Sequence, residues 1–368
     1  MKRVAFFFRK SIKWLSIITN LVLAVLCLLS SYAAYVSPQT NQWIPLLALW
    51  FPYLFIMVLL SALYWLMVKP IWVLLPIATL VASIPACKKT FAFNLQPKTI
   101  TGPAITIATW NVHSLTSMSK SLEKRKLAPQ EILQALDNTG ADIICLQEFN
   151  SSQSNNHIKF FSTLYPYHFF SKDHIRENDD YAAGCIIFSK HPIAKTGKRI
   201  FAGKNAESVI FADVALPNTD TLRVFTTHLQ SFKFKERDYL KIEKITAGTQ
   251  EGMEHSKGII KKLQIANTKR AAQAVLVAKF VRSSPYRTIV CGDFNDVPTS
   301  YTYATIAENF QDAFLQQSFG IGRTYQDLAP SLRIDYTLVH PTLTVSSFQM
   351  KEEGLSDHSM LITKILLK

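Results

Sequence analysis

The chain has 368 residues, with 40 Lys and Arg against 26 Asp and Glu, a formal charge of +14 and 48% hydrophobic residues. That composition excludes a disordered chain, and the length allows one or two domains. The charge is unevenly spread: residues 1–100 hold nine Lys or Arg and no acid, the first acid being Glu123, so 101–368 carry 31 basic and 26 acidic residues. A surplus of five is weak support for nucleic-acid binding.

Three uncharged apolar runs fill the first hundred residues: Trp14–Val36 (23 residues), Trp43–Val68 (26) and Ile71–Ala86 (16). A membrane-crossing helix needs roughly 20 apolar residues, which the first two runs supply and the third falls short of. A cleaved signal peptide would show one apolar stretch of only about 7–15 residues. Trp14, Trp43, Tyr64, Trp65 and Trp72 stand near the run ends, as interfacial aromatics do. We expect a transmembrane anchor over 1–87 with three helices at 14–36, 43–68 and 71–86. Lys2, Arg3, Arg9, Lys10 and Lys13 precede the first run and put the N-terminus in the cytoplasm. Three crossings then carry the remainder outside the cytoplasm, as in an integral protein of a bacterial-type inner membrane. If 71–86 does not span, the remainder stays cytoplasmic, a side that Lys88 and Lys89 suit.

Residues 88–103 lack periodicity and contain Pro97, Gly102 and Pro103, so they read as a linker. From 104 to 368, short β-rich runs alternate with helical patterns. The strands expected are Ala104–Trp110, Asp142–Gln147, Gly184–Phe188, Ser208–Val214, Thr221–Thr227, Arg287–Cys291, Arg333–Val339 and Met360–Leu366. Several are apolar at consecutive positions, as strands buried on both faces are. Helices are expected at Pro129–Asp137, stopped by Gly140, and at Gly258–Val281; the charged stretch Phe232–Lys257 reads as a solvated excursion. Cys145, Cys185 and Cys291 sit in apolar strands and read as buried, unpaired thiols. The class is α/β, strands packed with flanking helices.

Polar residues gather where these strands end. Thr109-Trp110-Asn111-Val112-His113 closes the first, Gln147-Glu148 the second and Thr227-His228-Leu229 a later one. Gly292-Asp293-Phe294-Asn295-Asp296 follows Arg287–Cys291; Asp335 lies in Arg333-Ile334-Asp335-Tyr336; Ser356-Asp357-His358 opens the last strand. Brought to one edge, these ends would offer hard oxygen ligands for a divalent ion and imidazoles for proton handling.

The order of these motifs over 104–368 resembles the endonuclease/exonuclease/phosphatase (deoxyribonuclease I-like) superfamily. The resemblance implies a four-layer α/β sandwich, two packed β-sheets flanked by helices, here preceded by transmembrane helices. It implies Mg²⁺, with Mn²⁺ as a substitute, held by Glu148 with Asn111 and Asp357. It implies that Asp293 and Asn295 hold the attacking water and a phosphoryl oxygen, that His358 pairs with Asp335, and that His228 donates to the scissile phosphate. Whether Asp293 or His358 takes the proton from water stays open. His113 stands where several members have an acid, which puts a second carboxylate ligand in doubt and leaves its own part open. Asp296 and Tyr336 read as supports for their neighbours.

The resulting expectation is a membrane-anchored, Mg²⁺-dependent phosphoesterase acting on a phosphodiester or phosphomonoester, at a lipid head group or an envelope polymer. Its rivals are a non-specific nuclease on DNA or RNA, which would need a basic or aromatic groove, and a catalytically inactive, membrane-tethered binding module. Every principal motif position holds a competent residue, which weighs against the last. Nothing in the sequence fixes the oligomeric state.

Overall fold

A computed structural model describes residues 2–95, 100–116, 118, 121–176, 180–203, 207–217, 220–234, 236–246 and 250–367. The chain forms two compact units, Met1–Thr90 with Pro298–Tyr301, and Phe91–Val297 with Thr302–Lys368.

The first unit contains helices α1 (Lys2–Tyr32), α2 (Phe51–Val68), α3 (Leu74–Ala82) and α4 (Ile84–Thr90). With adjoining 3₁₀ turns, Ser11–Tyr35 and Ile44–Val68 are each long and apolar enough to cross a membrane, at 25 residues and mean hydropathy 2.2 and 2.3. The third apolar run is not one straight helix: Pro70–Ala82 and Ile84–Thr90 meet at a 55° bend, so it adds a third crossing only if the bent pair counts as one. Pro85 accounts for the break, because its ring disfavours helical backbone before it and it supplies no N–H to bond back. Two hydrogen bonds join polar side chains within the runs: Ser31 Oγ donates to Ser83 Oγ at 2.8 Å, and Ser61 Oγ donates to Asn20 Oδ1 at 3.0 Å.

The second unit begins inside the stretch expected to be a linker. Strand β1 (Ala92–Phe93) pairs with a distant two-residue strand, Phe319–Gly320, and α4 reaches Thr90, so only part of 88–103 lacks regular structure. Residues 96–99 of that stretch lie outside the described residues. The remaining strands in chain order are β2 (Ala104–Asn111), β3 (Ile143–Ser151), β4 (Tyr167–Phe170), β5 (His174–Arg176), β6 (Tyr181–Ser189), β7 (Ile193–Ile200), β8 (Ser208–Ala215), β9 (Thr221–His228), β10 (Arg287–Asp293), β11 (Gln311–Asp312), β12 (Phe319–Gly320), β13 (Asp335–Val339), β14 (Thr344–Lys351) and β15 (Met360–Leu366). The helices are α5 (Leu122–Asp137), α6 (His157–Phe161), α7 (Glu236–Thr246), α8 (Gln250–Arg282), α9 (Tyr301–Ile306) and α10 (Ala313–Gln317).

One sheet runs β14-β15-β2-β3-β6-β4, with β5 also on β6; the other runs β11-β13-β10-β9-β8-β7. Because side chains alternate across a strand, each central strand feeds two cores. Ile143 and Cys145 of β3 meet Ile210, Ala212, Ile289 and Cys291 between the sheets. Ile144 and Leu146 face outward onto Ile132, Leu136 and Phe161 of α5 and α6. On the other side, Val209, Phe211, Phe225 and Val290 pack on Ala274, Val277 and Val281 of α8 and on Tyr303 and Ile306 of α9. The order helix–sheet–sheet–helix is the four-layer sandwich expected. All five cysteines are free, and Cys145, Cys185 and Cys291 are buried between the sheets.

Some elements differ from expectation. α5 starts at Leu122, seven residues before Pro129, a proline that reads in sequence as a helix start but here lies inside the helix. Phe232–Lys257, expected as a solvated excursion, contains the helix α7 and the beginning of α8.

Candidate active site

Each sheet contains one parallel pair, β2 with β3 and β9 with β10. Parallel neighbours need a helical crossover, here α5 for the first pair and α7–α8 for the second, so both pairs deliver their C-terminal ends to the same side of their sheet. Those ends carry Asn111, Glu148, His228 and Asp293. The antiparallel partners begin where these strands stop. β13 opens with Asp335 directly opposite Asp293, and β15 begins two residues after His358.

Two backbone devices aim the side chains. The register of β3 against β6 shifts between Leu146 and Phe149, and Glu148 adopts a left-handed φ of 54°. Asn295 does likewise at φ 53°, where an Asn pays little because its side chain bonds locally. Its backbone N–H donates to Asp293 Oδ1 at 2.7 Å and closes the turn.

The amides act as spacers between acids. Asn111 Nδ2 donates to Glu148 Oε1 at 3.3 Å and to Asp293 Oδ2 at 3.2 Å, and Asn111 Oδ1 accepts from the His113 backbone at 3.1 Å. Asn295 Nδ2 donates to Leu229 O at 3.0 Å and to Asp293 Oδ2 at 3.1 Å. In this arrangement Asn295 holds Asp293, rather than offering its amide outward.

Three imidazoles are each held by an acid. His358 Nδ1 pairs with Asp335 Oδ2 at 2.9 Å, and its Nε2 lies 3.8 Å from Asp293 Oδ2. Burial opposes the charged ring, yet Asp335 and Asp293 overcome it and hold His358 at about 10. His228 Nδ1 lies 2.6 Å from Glu207 Oε2, while its Nε2 is 3.5 Å from Asp293 and 3.9 Å from Glu148. Glu207 likewise outweighs burial and keeps His228 charged. His113 Nδ1 lies 3.2 Å from Asp357 Oδ1, a hydrogen bond that raises the ring; Asp357, despite burial, is lowered in return. Asp293 is pushed up to about 6, first by burial and then by Asp335.

All eight expected residues thus converge: Asn111, Glu148, His228, Asp293, Asn295, Asp335, Asp357 and His358. His113 joins them through Asp357. Asp296 and Tyr336 support from behind: Arg270 contacts Asp296 at 3.2 Å, and Tyr336 Oη donates to Asp296 O at 2.8 Å. Sequence reasoning missed Glu207, an isolated acid ahead of β8 with no motif around it. It also missed Tyr325, whose ring lies 4.9 Å from His358 and whose hydroxyl meets that of Tyr239 at 3.0 Å.

The donor set fits a divalent cation. Five carboxylates (Glu148, Glu207, Asp293, Asp335, Asp357) share this edge with three imidazoles, so with every ring protonated the group retains a formal charge of −2. Asp293, Asp335 and His358 present ligand atoms within 4.8 Å of one another, but His358 and Asp335 are already bonded to each other. Glu148, at 34% side-chain exposure, is held more loosely, by the Asn111 amide at 3.3 Å and with His228 Nε2 at 3.9 Å.

The comparisons with known proteins bear on the family and the fold. A model described as the Endonuclease/Exonuclease/phosphatase family matches residues 108–358, a span that holds all eight residues. A second, described as a domain of unknown function, matches residues 10–90. No curated protein matches the chain. Among solved structures, an endonuclease/exonuclease/phosphatase from Beutenbergia cavernae DSM 12333 is 16% identical, covering 72% of each chain at a TM-score of 0.51. The human Nocturnin catalytic domain, solved with a bound sulfate anion, is 18% identical, covering 74% of this chain and 100% of its own at a TM-score of 0.52. At such identities the likeness is one of fold.

Proposed function

The chain belongs to the endonuclease/exonuclease/phosphatase family of phosphate-ester hydrolases, and we propose that it is a membrane-anchored, Mg²⁺-dependent phosphoesterase. The observation that carries this reading is the meeting of Glu148, Asp293 and the Asp335–His358 pair at one sheet edge.

Glu148, with Asn111 and Asp357, would hold the ion. When bound, it would supply positive charge against the phosphoryl and leaving oxygens. His358 and His228, kept protonated by their acids, donate to the phosphoryl oxygens. A ring held at about 10 is a poor base near neutrality, whereas Asp293 at about 6 is ionised and close to the working pH. Asp293 therefore takes the proton from the attacking water, and Asn295, whose amide and backbone N–H both bond the Asp293 carboxylate, holds that base in place. Glu207 and Asp335 position the rings.

The two candidate spans support anchoring, and three crossings would put the catalytic domain outside the cytoplasm. An anchored enzyme gains local concentration on esters at the same surface, so the substrate is proposed to be a lipid head group or envelope polymer. To test the chemistry, the purified chain is assayed on soluble phosphodiesters and phosphomonoesters with Mg²⁺, Mn²⁺ or chelator. Chelation and Glu148→Gln should each abolish hydrolysis and leave the thermal melt cooperative. Full activity in chelator overturns the mechanism.

A further inference from the structure

One side of α8 is buried through Ala271, Ala274, Val277 and Val281; the other exposes Lys257, Lys261, Ile265, Lys269, Val275 and Lys279. At about 100° and 1.5 Å per residue, these six fall within an arc of about 120° along about 33 Å of helix. From His255 to Arg282 the sequence contains no Asp or Glu. The other cations of α8 are engaged: Lys262 with Asp238, Arg270 with Asp296, and Arg282 with Glu308. The Lys262–Asp238 pair also ties α7 to α8, and α7 adds exposed Arg237 and Leu240. Soluble surfaces usually intersperse both signs of charge. From Lys257 to Lys279 this face of α8 shows a single sign, while α7 beside it also exposes Glu243, and it leaves Ile265 and Val275 exposed at 48% and 50%.

We propose that this face, α8 with Arg237 and Leu240 of α7, docks the catalytic unit on an anionic phospholipid surface. Lysines interleaved with Leu, Ile and Val are the composition of a helix lying in a membrane interface, where cations meet phosphates and apolar tips enter the acyl boundary. A nucleic acid would satisfy the lysines but offers no apolar layer to Leu240, Ile265 and Val275. The proposal rests on the membrane reading above, since the apolar helices of the same chain keep it at a bilayer.

The test uses the full chain with Cys87→Ser and Ile265→Cys, labelled at residue 265 with an environment-sensitive fluorophore. It is reconstituted in phosphatidylcholine vesicles with or without phosphatidylglycerol, the lipids carrying brominated acyl chains as quenchers. Quenching is expected only with phosphatidylglycerol. Each Lys beside an anionic surface favours contact about five-fold, so K257E/K261E/K269E should lower the docked-to-free ratio by on the order of 100-fold or more. Hydrolysis of a water-soluble ester should be unchanged by that variant, and the milder K257Q/K261Q/K269Q should show an intermediate loss of quenching. Equal quenching in both lipids, or none in either, overturns the proposal. So does a fluorescence response to double-stranded DNA with none to phosphatidylglycerol. Release of the chain by alkaline carbonate would instead overturn the anchor, a failure distinct from loss of quenching.

Discussion

Asp293 is 1% exposed at its side chain, and its carboxyl is pushed up to about 6 by burial and by Asp335. Folding therefore favours its neutral form, and between about pH 4 and 6 the folded chain binds more protons than the unfolded one. Stability from this group falls as pH rises through that window, by on the order of 3 kcal/mol. Asp293→Asn imitates the neutral form and should melt at higher temperature at pH 7 in chelator, while hydrolysis falls by several orders of magnitude; a lower melting temperature would contradict the shift. Hydrolysis should show an acid limb near 6, as Asp293 protonates, and an alkaline limb near 10, as His358 loses its proton. Asp335→Asn and His358→Ala should each cost orders of magnitude in kcat, and the double variant little more than the worse single, because the two act as one unit. Losses that multiply would show them working independently.

At the level of elements, the close approach of β10 to its parallel neighbour β9 demands a glycine. Gly292 has φ +137°, and a Cβ there would lie 2.1 Å from Thr227 O, beside the residue that precedes His228. Gly292→Ala is expected to cost on the order of 3 kcal/mol in thermal or denaturant melts and to lower activity with it. This glycine belongs to a motif that was legible in the sequence, as were the central strands, whose Ile143-Ile144-Cys145-Leu146 run is apolar because both faces are covered. Strand β7 was not legible. Its Lys195, Lys198 and Arg199 reflect an edge position with only one neighbour, so no burial pattern imposes itself. Helix α7 was hidden for a similar reason: Glu236, Arg237, Lys241, Glu243 and Lys244 mask an inner face of which Asp238 is buried. Within the site, residues carried by contiguous motifs could be read from sequence. Glu207 and Tyr325 could not, because only the packing of strands brings them to His228 and His358.

For the whole molecule, on the anchored reading proposed above, the number of crossings would decide which compartment the active edge faces. A reporter active only outside the cytoplasm, fused after residue 100, should be active if the bent pair at Ser83 spans as one; an inactive reporter in a stably expressed fusion would indicate two crossings. The sheet containing β15 has a different implication, one of timing. Leu361 of β15 pairs with Thr109 of β2, more than 250 residues earlier, and β15 lies between β14 and β2 rather than at the margin. Until that late segment arrives, β2 presents an open edge with Ile105 and Ile107 waiting for cover, a slow, non-local closure. His358 enters with the same segment. On the proposed mechanism, the strand that seals the sheet is thus also the one that would arm the site, so a partly folded chain would be harmless to phosphate esters until its architecture is complete.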